Sequence, residues 1–521
     1  MSDAQTDVIV VGFGGAGACA ALEARAAGAE VIVLDRFSGG GATAISGGVV
    51  YAGGGTDIQR QAGVEDDVEA MLAYLRAEVQ GVVSEETLRD FCAQSSDNLD
   101  WLAGHGVPFE ASLCPVKTSY PTDDYYLYYS GNEGFLPFRE LAKPAPRGHR
   151  AKGKGLPGQS FYEPLRAAVL RAGVTARYHC RATGLIEDGG RIVGVEVSEL
   201  RGFWASVHGM LERRAIKVVN YIPSLGRRLR RWGAAVEKKH GRPRRILAKK
   251  GVILAAGGFI YNRKMLEEHA PAYRRGMPLG TAGCGGEGIQ LGASVGGGTD
   301  CMGRVSAWRF LCPPEAFIKG VLLNEQGERY VNESLYGAAV GEEMVDRNDG
   351  VGMLVIDGAL KAAARSQIGR GKTQWFQTAP TMLNLRFNCR PAETLADVAR
   401  ICRAPEASVT ATIAAYNAAT ESDEADAFGK EKRAILRPPY YVIDCGIRSK
   451  TWPLPTLTLG GLTVEEESGQ VRRPDGALIA GLYAAGRNAV GICSRQYVSG
   501  LSIADCVYSG RRAGRAAANT L

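Results

Sequence analysis

The stretch DVIVVGFGGAGACAALEARAAGAEVIVLDR (7–36) decides the fold. Val8 to Val11 form a short apolar run of the kind that a parallel strand buried on both faces requires. Gly12, Gly14 and Gly17 then give G-x-G-x-x-G. The first permits the turn, the second lets the backbone approach a pyrophosphate, and the third lets helix and strand pack closely. Phosphates belong at the start of such a helix, where free N–H groups point outward. VIVLDR closes the unit as a second strand, and Asp35, 23 residues after Gly12, ends it where a carboxylate can accept from ribose hydroxyls. Strand, turn, helix, strand and acidic end occur in order, so the stretch predicts a dinucleotide site in an α/β domain.

Working outward, FSGGGATAISGGVVYAGGGTD (37–57) is a second loop rich in Gly, Ser and Thr. A nicotinamide enzyme has no need of it, whereas a flavoprotein runs backbone N–H groups and small hydroxyls along the pyrophosphate and ring. The run resembles the flavin-contacting loop of the fumarate reductase and 3-ketosteroid dehydrogenase superfamily. GVILAAGGFIYN (251–262) and GLYAAGRNAVG (481–491) are similar to further elements of that superfamily and fall in its order. The resemblance implies FAD. It implies contacts from Gly12, Gly14, Gly15, Ala16 and Gly17, from Asp35 and Arg36, and from Ala42, Thr43, Ser46, Gly47 and Gly48. It extends them to Ala182, Ala256, Gly257, Gly258, Asn262, Gly486, Arg487, Ser502 and Ile503. No histidine stands in the loop after Asp35, so the FAD is expected to be noncovalent.

A chain of 521 residues exceeds one compact core. The expected architecture is a discontinuous Rossmann-like FAD-binding domain (1–285 and 440–521) with an inserted α+β cap, or substrate domain, at 286–439. RATGLIEDGGRIVGVEVSEL (181–200) alternates around Asp188-Gly189-Gly190 and predicts a hairpin. LADVARICRAPEASVTATIAAYNAAT (395–420) is apolar at helical spacing. No run approaches the ~20 apolar residues of a membrane span. The start, MSDAQTDVIVVG, has no basic n-region, and the 12 cysteines show no zinc-like spacing. They are expected to be reduced, the chain cytoplasmic and metal-free.

The net charge of +7 is uneven: residues 201–250 hold 15 Lys/Arg against 2 Glu, so the remainder carries −6. This stretch contains a basic helical insertion, 201–247, between the hairpin and the strand beginning near Gly251. Leu225, Leu229, Trp232 and Val236 form one stripe on a helix, with Arg227, Arg228, Arg230 and Arg231 around it. Phe203, Trp204, Val207, Met210 and Leu211 suggest a second helix. Three roles are open: peripheral contact with an anionic membrane on its inner face through 203–245, packing on the chain's own body or a second protomer, or nucleic-acid binding. No motif that reads bases accompanies the arginines, so nucleic acid is not expected as a partner.

For the substrate, GERYVNESLYGAAV (327–340) resembles the fumarate reductase segment that carries a proton-donating arginine. Glu333 is present, but Tyr336-Gly337 stand where the arginine is expected, and the next is Arg347. YVSG (497–500) resembles the Tyr-x-Ser-Gly of the 3-ketosteroid Δ4-dehydrogenases, and YYLYYSGNE (125–133) a substrate-side loop of that group. The resemblance implies catalytic roles for Ser499, Tyr497 and Tyr336. Tyr126, Tyr128, Tyr129 and Gly500 are expected to line a 3-ketosteroid, whose C4–C5 bond is desaturated. Other readings are an ene reductase of fumarate reductase type, a Δ1-dehydrogenase, and a flavin-binding membrane adaptor. A quinone is an expected electron acceptor if the membrane contact holds.

Overall fold

The computed structural model of the protein describes residues 4–219 and 222–520; residues 1–3 of the expected N-terminus and 220–221 of the expected insertion lie outside them. The opening strand β1 (Ala4–Val11) leads into helix α1 (Gly15–Ala26) and strand β2 (Val31–Leu34). β1 pairs in parallel with β2, Val8 opposite Val31 and Val11 opposite Leu34. The sheet continues through β3 (Thr175–Arg177), parallel to β2, and the hairpin β4 (Cys180–Asp188) and β5 (Arg191–Glu199), closed by Gly189-Gly190 as the alternation predicts. Helices α2 (Gly202–Val218) and α3 (Pro223–His240) follow, then the long strand β6 (Arg242–Leu254).

Further along come α4 (Gly337–Arg347), β7 (Gln470–Arg472), β8 (Leu478–Ala484) and the C-terminal helix α5 (Leu501–Asn519). The eight-stranded sheet runs β7-β8-β5-β6-β1-β2-β3, with β4 on β5. β6 lies parallel to β1, Val11 opposite Leu254. The glycine turn is fixed by close approach: a Cβ on Gly17 would lie 1.9 Å from the Gly12 carbonyl oxygen. α5 lies across α1 in the same way, with a Cβ on Gly514 reaching 2.3 Å from the Ala20 oxygen.

A separate four-stranded antiparallel sheet combines Val321–Leu323, Met353–Asp357, Cys389–Ala392 and Tyr440–Asp444 around its own apolar core. Its last strand comes from just past the boundary expected at 439. The 395–420 pattern forms two helices, Leu395–Cys402 and Glu406–Glu421, with Arg403 in the left-handed region and Pro405 between them.

The insertion is a helical pair joined by a seam of Leu211, Ala215 and Leu229, with Val207, Val218 and Val236. Half of the expected stripe is therefore internal, while Leu225 and Trp232 are exposed. Arg230 does not face solvent with the other arginines; its guanidinium lies 4.2 Å from the centre of the Tyr261 ring. Among the described residues no helix is long and apolar enough to cross a membrane.

Candidate active site

The cofactor cradle begins where β1 ends. The Phe13 and Phe37 N–H groups donate to Asp35 Oδ2 (2.9 Å) and Oδ1 (2.7 Å). Burial pushes the Asp35 carboxyl above its ordinary range, and the N–H groups of Phe13, Phe37 and Gly39 oppose this. Asp35 thus braces the glycine turn as well as ending β2. Gly15 N–H donates to Thr43 Oγ1 (3.1 Å), and Ser46 Oγ donates to the Thr43 carbonyl (2.7 Å) while accepting from Gly48 N–H (3.1 Å). The second Gly/Ser/Thr loop therefore folds onto the first turn of α1, with Ala42 half-buried beside Thr43 and Gly47 beside the Tyr120 ring.

The strand β6 delivers Ala256, Gly257 and Gly258 opposite. Asn488 accepts from Ala256 N–H and donates to the Gly257 carbonyl. Arg487 lies half-buried against Gly257 and Gly258, and its Nη2 donates to Cys284 Sγ (3.7 Å). Gly486 packs on Ala16. Ser502 and Ile503, half-buried, occupy the first turn of α5.

These residues fit FAD on three counts. No acidic side chain lies in the first turn of α1, so its N–H groups can meet a pyrophosphate. A Cβ on Gly14 would have nothing nearer than 3.7 Å, leaving room for a ligand. Arg487 Nη1 is buried without a protein partner, a cost of roughly 1–3 kcal/mol unless a ligand takes it.

Three further residues expected at the cofactor also have protein partners. Asn262 caps the helix Arg263–His269, accepting from Met265 N–H and donating to the Gly285 carbonyl. Arg36 is ion-paired to Glu237 and Glu287. Ala182 is buried in β4 opposite Val197.

The second half of the site gathers hydroxyls from distant parts of the chain. Tyr128 Oη and Ser499 Oγ are 3.2 Å apart, both buried, and Ser130 Oγ donates to the Ser499 carbonyl (3.1 Å). A small sheet aligns them: Leu127–Tyr128 pairs with Gly148–Arg150, which pairs with Val49–Tyr51, and Tyr51 N–H donates to the Gly500 carbonyl (3.1 Å). Gly500 has φ of 91°, and a Cβ there would meet Tyr51 N at 2.6 Å. The Tyr336 ring stacks on Tyr497 at 6.5 Å. Trp308 and Phe310 complete the aromatic wall, 5.0 Å from Tyr497 and 5.4 Å from Tyr336. Burial raises the phenol pKa values of Tyr128, Tyr336 and Tyr497, so all three stay protonated near neutral pH.

Tyr126 turns away from this cluster. Its ring lies under Arg150, 5.0 Å from the guanidinium, and its hydroxyl reaches the Gly153 carbonyl (3.4 Å). The Tyr129 carbonyl accepts from Nζ of the half-buried Lys117 (2.9 Å), which lies 5.8 Å from the Tyr336 ring centre. The sequence reading missed Lys117, Ser130, Trp308 and Asn132. Asn132 Oδ1 accepts from Tyr336 N–H (2.6 Å), and Nδ2 donates to Glu78 Oε1 (2.8 Å), which also accepts from Tyr74 (2.6 Å). The Asn132–Tyr336 partners lie 204 positions apart, so no local pattern marks them.

Glu333 is fully buried and accepts from Arg329, Lys430 and Leu322 N–H. It holds a structural charge cluster. Arg347 is exposed and pairs with Glu343. No dicarboxylate clamp forms from these two.

Comparison with known proteins agrees with this chemistry. A family model described as an FAD binding domain matches residues 7–500. The 3-oxo-5-alpha-steroid 4-dehydrogenase of Comamonas testosteroni is 39% identical over 499 residues, 93% of each chain. The structure of 3-ketosteroid-delta4-(5alpha)-dehydrogenase from Rhodococcus jostii RHA1, in complex with 4-androstene-3,17-dione, superposes with a TM-score of 0.83 at 31% identity, over 100% of this chain and 98% of that one. The 3-ketosteroid delta1-dehydrogenase of Sterolibacterium denitrificans has the same fold, with a TM-score of 0.67 at 18% identity over 99% of both chains. With an FAD-binding match across most of its length and a relative at this level of identity, the chain belongs to the family of FAD-dependent 3-ketosteroid 4-dehydrogenases.

Proposed function

We propose that the protein desaturates 5α-3-ketosteroids between C4 and C5. One observation carries the reading: Ser499 Oγ lies 3.2 Å from Tyr128 Oη, in a wall where Tyr336 and Tyr497 stack on each other. The names of the two relatives, both 5α enzymes, support the substrate stereochemistry. The segment 286–439 acts as the cap that carries Trp308, Phe310 and Tyr336, and 1–285 with 440–521 acts as the FAD-binding part.

FAD, held by the glycine turn, the Thr43–Gly48 loop and Arg487, supplies when bound the acceptor for the hydride that leaves C5. The protein handles the other hydrogen. The C3 carbonyl acidifies the C4 proton, and Ser499 Oγ takes it. A lone serine is a weak base, so its own hydroxyl proton passes to the hydrogen-bonded Tyr128, and that phenol, already protonated, hands its own proton on to water. Tyr497, neutral because buried, donates to the carbonyl oxygen as enolate charge develops. The N–H groups at Gly500, Ser502 and Ile503 add positive potential at the start of α5. The flat faces of Trp308, Phe310 and Tyr497 suit a fused-ring ligand.

The test is anaerobic mixing of the oxidised holoenzyme with 5α- and 5β-3-ketosteroids. Flavin bleaching together with enone absorbance from the 5α substrate is expected; no bleaching with either overturns the reading.

A peripheral lipid contact is supported by exposed Phe203, Ile222, Leu225 and Trp232 alongside exposed Arg227, Arg228 and Arg231. Co-sedimentation of the holoenzyme with anionic vesicles tests it, and protein left wholly in the supernatant refutes it.

A further inference from the structure

The helical pair 202–240 has no part in the chemistry above, yet it buries the polar side chains His208, Glu212 and Glu237. Glu237 of α3, largely buried, accepts from Arg36 Nε and Nη2 at 2.8 Å each, a two-bond fork. His208 Nε2 of α2 lies 3.0 Å from Glu237 Oε1. Burial alone would raise the Glu237 carboxyl, but His208 and Arg36 hold it at about 2. The His208 ring stacks on Phe37 at 5.2 Å, and its Nδ1 lies 3.0 Å from His179 Nδ1. Arg36 Nη1 reaches Glu287 (2.6 Å). The insertion is thus fastened to the residues that follow Asp35.

That location has meaning in a dinucleotide fold. The pyrophosphate belongs at the first turn of α1, and the hydroxyl cluster around Ser499 marks the reacting end. The end of β2, where an acidic residue meets a ribose, is the nucleoside end. Beside it the insertion presents buried polar atoms with no protein partner: Glu212 Oε1, and Nε and Nη2 of Arg230. Glu212 is only 7% exposed. Its neighbours are Arg230, the Ala282 N–H, His208 and Arg36. Orphaned polar atoms in so closed a place call for a ligand.

We propose that the insertion is the outer wall of the adenosine half of the FAD site, with Glu212 and Arg230 meeting polar atoms of the adenosine and Arg36–Glu237–His208 latching the wall in place. FAD then leaves only when the pair swings off β2. The inference rests on FAD as cofactor and is independent of the steroid reading.

The experiment uses holoenzyme diluted into buffer, with release of FAD followed by the rise in free-flavin fluorescence and competition by FMN, which lacks the adenosine. Glu212→Ala and Arg230→Met should each speed FAD loss about tenfold or more, as loss of one buried polar contact implies, and narrow the preference for FAD over FMN. Glu237→Gln, which keeps shape but removes the paired charge, should speed FAD loss and raise hydrogen exchange in 202–240. FAD loss at the unaltered rate in all three variants overturns the proposal. Equal weakening of FAD and FMN also overturns it, since that pattern means general loosening. Should Glu237→Gln not accumulate, Arg230→Met alone decides.

Discussion

Glu78 offers a prediction whose sign and size follow from burial. Its carboxyl, 2% exposed, is pushed up to about 7 from an ordinary 4.5, chiefly by burial, against the hydrogen bonds from Tyr74 and Asn132, with Glu133 and Glu342 adding to the rise. Between those two values the folded chain keeps a proton that the unfolded chain has released. Stability therefore falls as pH climbs through this window, by about 3 kcal/mol in all at 1.4 kcal/mol per pH unit. Glu78→Gln keeps an oxygen for Tyr74 and Asn132 and removes the charge. In chemical denaturation followed by flavin fluorescence, the variant should exceed the parent by about 2–3 kcal/mol near pH 8 and match it near pH 5. A variant weaker than the parent near pH 8, or stabilised equally at both values, would refute the reasoning.

The remaining predictions concern the site and its supports. Ser499→Ala should leave FAD-loaded protein whose turnover with a 5α-3-ketosteroid is lower by on the order of 10²-fold or more, with Tyr497→Phe falling in the same direction; steady-state assay of flavin-normalised enzyme checks both. Asn132→Ala, which frees the Tyr336 N–H, should lower kcat about 10- to 100-fold by displacing the phenol while KM changes little. Glu333→Ala strands Lys430 in the interior, leaves Arg329 with Asp426 alone, and should cost about 3–5 kcal/mol in denaturation experiments.

The parts of the fold that were legible in the sequence are those written in local patterns. The run Val8–Val11, the three glycines and Asp35 specify strand, turn and strand through short-range sterics, and the 188–190 turn fixes its hairpin by alternation. The meeting of Tyr336 with Tyr497 and Ser499 is implied only by motif resemblance, since Tyr336 lies more than 150 positions from the other two. What the sequence hid is set by tertiary contact. Tyr126 and Tyr128 lie two apart in one tyrosine-rich loop, yet one is drawn to Arg150 and the other to Ser499. Arg36, expected at the cofactor, also binds Glu237, 201 positions away. Arg230 stands in an arginine run that reads as solvated, yet Tyr261 and Glu212 draw it inward. Asn262, expected at the cofactor, also caps the helix that follows it, a pairing that local geometry sets.

The central claim is that one hydroxyl cluster removes the C4 proton while the cofactor faces C5. The most direct test is a crystal structure of the FAD-loaded protein with a bound 4-ene-3-ketosteroid. The account predicts C4 within about 3–4 Å of Ser499 Oγ, the C3 oxygen within hydrogen-bond reach of Tyr497, and the isoalloxazine against C5. A steroid seated with its A ring away from Ser499, or a flavin on the far side of the aromatic wall, would contradict it.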